Sequence, residues 1–182
     1  MPQVIDTIRN IIRQRFEQEL ELIIGDLRDE IQNQGHNATG NLSKSLTFEI
    51  KDSDSDGFLG VIFGNDYAFP LNSGVPANRV PFNPKRRGNG GTSRYITALL
   101  QWAETVRPEL DEKNRRSFVW AVATKHSREG MPTRGSYSFS RNGERKNFVQ
   151  RTIDKHINSL AASIGGRDLA DRIAAEILKA SA

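Results

Sequence analysis

Between residues 4 and 31 the apolar side chains Val4, Ile5, Ile8, Ile11, Ile12, Phe16, Leu20, Ile23, Ile24, Leu27 and Ile31 recur mostly at steps of three and four. That spacing gathers them on one stripe of an α-helix, whereas a strand changes side at every residue. Pro2 suits a first helical turn, where its missing N–H is not needed, and Gly35 stands where such a helix would stop. At about 1.5 Å per residue the helix would be roughly 40 Å long, more than one small core needs to cover it. The chain is therefore built on a long amphipathic helix, packed on its own core alone or also on a neighbouring copy.

The next segment has a different period. Leu46, Phe48 and Ile50 alternate with polar residues as a half-buried strand does. Asp52-Ser53-Asp54-Ser55-Asp56-Gly57 makes a turn, and the run from Phe58 returns as a second strand rich in residues that suit a pleated surface. Residues 40–64 thus predict an antiparallel hairpin. Tyr95, Ile96, Leu99, Leu100, Trp102, Ala103 and Val106 predict a short helix ended by Pro108, and residues 118–123 favour another. Phe148, Ile153, Ile157 and Leu160 predict a third, broken at Gly165-Gly166, before a last one with Leu169, Ile173, Ile177 and Leu178. Strands grouped together rather than alternating with helices give an α+β fold. The 182 residues read as a single domain: helix 1–34, hairpin 40–64, extended loops 67–94 and 127–147, and C-terminal helices 148–180.

The two loops carry the functional signal. No acidic residue occurs between Asp66 and Glu104, and the window is rich in proline, glycine and arginine. A structureless stretch of about 20 residues in a compact domain is usually functional or disordered. Basic residues there and in the second loop (Arg79, Lys85, Arg86, Arg87, Arg94, Arg128, Arg134, Arg141, Arg145, Lys146) are interleaved with Phe82, Tyr95, Tyr137 and Phe139. Such a mixture can grip a nucleic-acid backbone and stack on bases. It can equally bind an acidic protein surface, and the chain contains one. Residues 1–70 hold six Lys/Arg against twelve Asp/Glu, a net −6, while residues 71–182 hold twenty against ten, a net +10. Copies pairing acidic part to basic part fit that polarity. We favour a protein interface, with Arg79, Phe82, Lys85, Arg86, Arg87, Arg94, Arg134, Tyr137, Phe139 and Arg141 as its candidate residues; a nucleic-acid-binding module using the same loops is the alternative.

Catalytic and metal chemistry find little to work with. There is no cysteine, hence no disulfide framework or thiol nucleophile. Asp52, Asp54, Asp56 and Gly57 resemble the start of a calcium loop, but Phe63 stands where the closing carboxylate belongs. The glycines of Arg86-Arg87-Gly88-Asn89-Gly90-Gly91-Thr92-Ser93 lack the lysine of a phosphate loop and follow no strand. His36, His126 and His156 form no metal spacing, and His126 with Glu129 is accompanied by no nucleophile, which leaves an exposed structural histidine. The expectation is a non-enzyme without cofactor or metal. The N-terminal ten residues lack the apolar core of a signal peptide and no run approaches the roughly 18 apolar residues of a membrane span, so a soluble protein made in a cytoplasm is expected.

Several short motifs fall in a familiar order. Thr39-Gly40-Asn41-Leu42-Ser43-Lys44-Ser45-Leu46 resembles the TGxLxxS element that opens the sheet in tail-completion and head-tail joining proteins of tailed bacteriophages. Gly64-Asn65-Asp66-Tyr67-Ala68, with Asn72-Ser73-Gly74-Val75-Pro76 after it, is similar to that family's turn after the next strand, and Gly130-Met131-Pro132-Thr133-Arg134 resembles its GxPxR approach to a closing helix. Asn72-Ser73 replace an acidic residue frequent in the family, and Ser136 replaces a phenylalanine. Thr39, Gly40, Leu42, Ser45, Tyr67, Ala68, Gly74 and Pro132 carry the likeness. The resemblance implies a structural virion component of the neck, assembled in the host cytoplasm. It would form a homo-oligomeric ring, commonly sixfold, between portal or connector and tail, with arginines available to passing DNA and no membrane contact.

Overall fold

The computed structural model describes residues 2–53, 57–84, 93–166, 170, 171, 173 and 174. The elements are α1 (Pro2–Asn33), α2 (Asn41–Ser45), β1 (Thr47–Asp52), β2 (Phe58–Phe63), α3 (Ala68–Ser73), α4 (Arg94–Val106), α5 (Glu112–Glu129) and α6 (Phe148–Gly165), with 3-10 turns at Ala77–Arg79 and Arg134–Phe139. A long N-terminal helix, further helices and a two-stranded antiparallel sheet make the fold α+β. Contacts divide the chain, whose length suggests one domain, into two compact units.

The first unit comprises Met1–Glu30, Ser45–Gly64 and Val149–Ala182. Its core is the apolar stripe of α1, where Leu20, Ile23, Ile24 and Leu27 are buried; the stripe loosens towards the N-terminus, and Ile5 is 66% exposed. The strands pair with Phe48 opposite Ile62 and Ile50 opposite Gly60. Gly60 is where the hairpin meets α1: a Cβ there would lie 2.9 Å from Leu20 Cδ1 and 3.0 Å from Phe16 Cζ. Polar contacts fix α1 to its neighbours. Arg28 donates to the Leu46 carbonyl at 3.1 Å, Arg151 of α6 pairs with the buried Glu30 carboxylate at 3.1 Å, and His156 meets Asp26 at 3.0 Å.

The second unit comprises Ile31–Lys44 and Asn65–Phe148. Here α4 and α5 bury Ile96, Ala103, Val119 and Ala123, with Phe82, Tyr95, Leu99, Leu100 and Phe118 packed around them. Each helix begins with a side-chain cap: Ser93 Oγ accepts from Ile96 N–H on α4, and Asp111 Oδ1 accepts from Asn114 N–H on α5 at 2.8 Å. The segment 142–148 is held by its backbone. Gln34 donates to the Lys146 carbonyl at 3.0 Å, His36 Nε2 to the Arg145 carbonyl at 3.1 Å, and Asn147 N–H to the Asn72 carbonyl at 2.8 Å.

The expected pattern is corrected in three places. Residues 40–64 do not enter the hairpin directly, because Asn41–Ser45 first form α2. Residues 67–94 and 127–147, expected as extended loops, contain α3 and both 3-10 turns. Proline and glycine there set short turns that satisfy the backbone locally, a form without long-range periodicity to betray it. The helix expected over 118–123 begins earlier, at Glu112, since Asp111 caps the polar turn that precedes its apolar residues. Lys85, Arg86, Arg87, Leu169, Ile177 and Leu178 lie outside the described residues.

Candidate interaction surface

Most of the motif residues, 39–44, 65–68, 72–76 and 130–134, belong to the second unit, while Ser45, Leu46 and Gly64 belong to the first. Val75 and Met131 form an antiparallel bridge. On either side sit Gly74, at φ 78° and ψ 170°, and Gly130, at φ 84° and ψ −170°, a region that is almost closed to residues with a Cβ. Space excludes a side chain as well: a Cβ would stand 2.8 Å from the Met131 carbonyl oxygen at Gly74 and 2.6 Å from that of Val75 at Gly130. The Met131-Pro132 peptide is cis. Asn65 joins another pair of motifs, with Nδ2 3.4 Å from both the Asn41 carbonyl and the Tyr67 hydroxyl. Thr39 Oγ1 accepts from Asn41 N–H at 3.4 Å. Gly40, at φ 71°, leads into α2, which buries Leu42. Ser45 and Ala68 are half-buried.

The bridge leaves the flanking basic and aromatic residues at the surface. Arg79, Arg94, Arg134 and Arg141 are exposed, and Tyr137 is half-buried. Phe139 is 77% exposed, and so is Phe69 of α3 at 79%. Two of these arginines are fixed through their main chain: Arg134 N–H donates to a Glu129 carboxylate oxygen at 2.9 Å, and Arg141 N–H to the Asn33 carbonyl at 2.7 Å. Phe82 has a different role. It is half-buried against the α4–α5 core, 6.5 Å from the Tyr95 ring and 5.4 Å from that of Trp120.

Two histidines occupy structural positions in this unit. His36 is half-buried, and burial first, then the nearby Arg145 guanidinium, lower its pKa to about 4. His126 is half-buried too, rather than the exposed side chain that its sequence context suggests. Burial lowers its pKa against the pull of Glu129, while burial raises that of Tyr95 to about 12. A neutral phenol therefore donates to a neutral imidazole, Tyr95 O–H to His126 Nδ1, at 2.6 Å. The pair ties α4 to α5 instead of forming an acid-base couple with Glu129. Among the described residues no three His, Asp or Glu side chains gather as metal ligands, and Asp52 of the calcium-like turn pairs with Arg9 at 3.0 Å.

Sequence reasoning missed the exposed apolar residues Phe69, Leu22 and Trp120. On a helix Trp120 stands about 100° round from the buried Val119, so a helical wheel of residues 112–129 carries the signal. Among the described residues no helix is long and apolar enough to cross a membrane. No protein-family model, curated protein or solved structure matches the chain.

Proposed function

We propose that this chain is a structural subunit of the neck of a tailed bacteriophage, a tail-completion or head-tail joining protein that acts in a ring, commonly sixfold, between portal or connector and tail. One observation carries the reading. Parts of all three sequence segments that resemble the family are joined within the second unit, Val75 to Met131 by the bridge and Asn65 to the Asn41 carbonyl by a hydrogen bond. Independent motif matches arising by chance would have no reason to converge.

The surface chemistry suits this role. The second unit exposes Phe69 and Phe139 as well as Arg79, Arg94, Arg134 and Arg141, a composition that favours protein contact over a small-molecule site. The opposed charge of residues 1–70 and 71–182 suits copies that touch through unlike faces, and unlike faces generate rings when the rotation closes. Arginines turned to the lumen would meet passing DNA. The chain acts without catalysis or cofactor.

The test is head-tail joining in an extract that supplies heads and tails but lacks this chain. Added protein should restore infectious particles, and K85A/R86A/R87A should fail to do so while remaining folded. Absence of the chain from purified virions, or no joining by the wild type, would remove the reading.

A further inference from the structure

Trp120, Ala121, Thr124, Lys125, Arg128 and Glu129 of α5 line an open groove of about 550 Å3. Trp120 is 53% exposed, and its indole is held edge-on by Phe82 at 5.4 Å. A fixed aromatic surface therefore stands in water beside Lys125 and Arg128, both exposed. Glu129, at one end, accepts the Arg134 N–H.

The face of α1 opposite its buried stripe has the complementary chemistry. Glu17, Glu21, Leu22 and Asp29 are exposed there, and Leu22 is 58% exposed among carboxylates. Gly25, half-buried, lies between Leu22 and Asp29 on the helix. Glycine inside a helix weakens it relative to alanine, yet a Cβ at Gly25 would meet nothing within 4 Å among the described residues. Packing among the described residues gives no reason for it. A glycine on an exposed helix face does let a second helix come close.

We propose that a second copy of this chain covers the Trp120 groove, laying the α1 face that carries Glu21, Leu22, Gly25 and Asp29 along it. Leu22 packs on the indole, the Glu21 and Asp29 carboxylates meet Lys125 and Arg128, and Gly25 marks the closest approach. Because the two faces differ, the contact is heterologous and each copy offers one face to the copy before it and one to the copy after it. The inference rests on the ring reading above and names the faces that would form its contact. Nucleic acid is a poorer occupant, since its phosphates would lie beside Glu129.

The experiment tracks self-association of the full chain by sedimentation equilibrium up to about 1 mM, at low and high salt. Wild type should associate, more weakly at high salt. E21K/D29K and K125E/R128E should each weaken association at least about tenfold, and the two combined in one chain should restore it. G25Q should raise helicity and Tm yet abolish association, which separates a blocked contact from a misfolded chain. The proposal is overturned if single reversals leave association unchanged, if the combined variant fails to restore it, or if the wild type stays monomeric throughout. Binding of duplex DNA or an acidic peptide at Lys125 and Arg128 without self-association overturns it as well. Those outcomes leave the neck reading intact, because that reading stands or falls on head-tail joining.

Discussion

Val75 and Met131 exchange both of their backbone hydrogen bonds, each 2.7 Å long, from segments far apart in the chain. Gly74 and Gly130 make the approach possible through dihedrals and space that a side chain would spoil. Gly74→Ala and Gly130→Ala should each lower stability by about 1–3 kcal/mol, read as a fall in the urea midpoint at unchanged slope. Gly143, at φ 74° with nothing within 4 Å of a Cβ, serves as the comparison: Gly143→Ala should lose only about 1 kcal/mol. Equal losses at all three sites would mean that close approach at the bridge contributes nothing.

Gly60 tests the seat of α1 on the hairpin. Leu20 and Phe16 fill the space that a side chain at Gly60 would take. Gly60→Val, although favourable for an isolated strand, should destabilise by about 1–3 kcal/mol through overpacking. A rise in the midpoint of thermal or urea unfolding would show that this contact yields freely.

His36 sets a pH dependence. Its folded pKa of about 4 lies below the ordinary 6.5, so the unfolded chain takes up the proton first as pH falls. The stabilising contribution is complete above about pH 6.5, declines between there and about pH 4, and is gone below. His126, lowered by burial, acts in the same direction. Urea midpoints across this range should fall with pH in the wild type and fall less in H36Q, whose amide keeps a donor for the Arg145 carbonyl. Identical pH slopes for the two proteins would rule His36 out.

Phe148 and Phe139 separate core from surface. Phe148 is 1% exposed, and Phe148→Ala should lose about 3–5 kcal/mol. Phe139 is 77% exposed, and Phe139→Ala should stay within about 0.5 kcal/mol of wild type. If Phe139 meets a partner, the second variant folds normally but joins heads to tails poorly. Full joining activity would remove it from the interface.

Much of the fold was legible because it obeys one period at a time. Leu20, Ile23, Ile24, Leu27 and Ile31 repeat at helical spacing and are buried, and Phe48, Ile50, Val61 and Ile62 lie in the expected antiparallel pair. The turns at 77–79 and 134–139 and the helix at 68–73 were not legible, since Pro70, Pro76 and Pro132 suggest interruption whatever the chain does around them. At the surface, exposed Arg79, Arg134, Arg141 and Phe139 could be read from composition. The half-burial of Phe82 could not, because it depends on Trp120 and Tyr95 arriving from two helices. The motifs gave order along the chain but no distances, so the meeting of Val75 with Met131 lay beyond them.

The bridge has an evolutionary consequence. Because Val75 and Met131 are hydrogen-bonded to each other, the span between them leaves from and returns to a single point, bringing α4 and α5 with it. An excursion whose ends are already joined can lengthen, shorten or be exchanged at small entropic penalty to its base, since loop closure depends only weakly on length. The same base can therefore carry excursions of different length, as long as Gly74 and Gly130 hold the dihedrals at its neck.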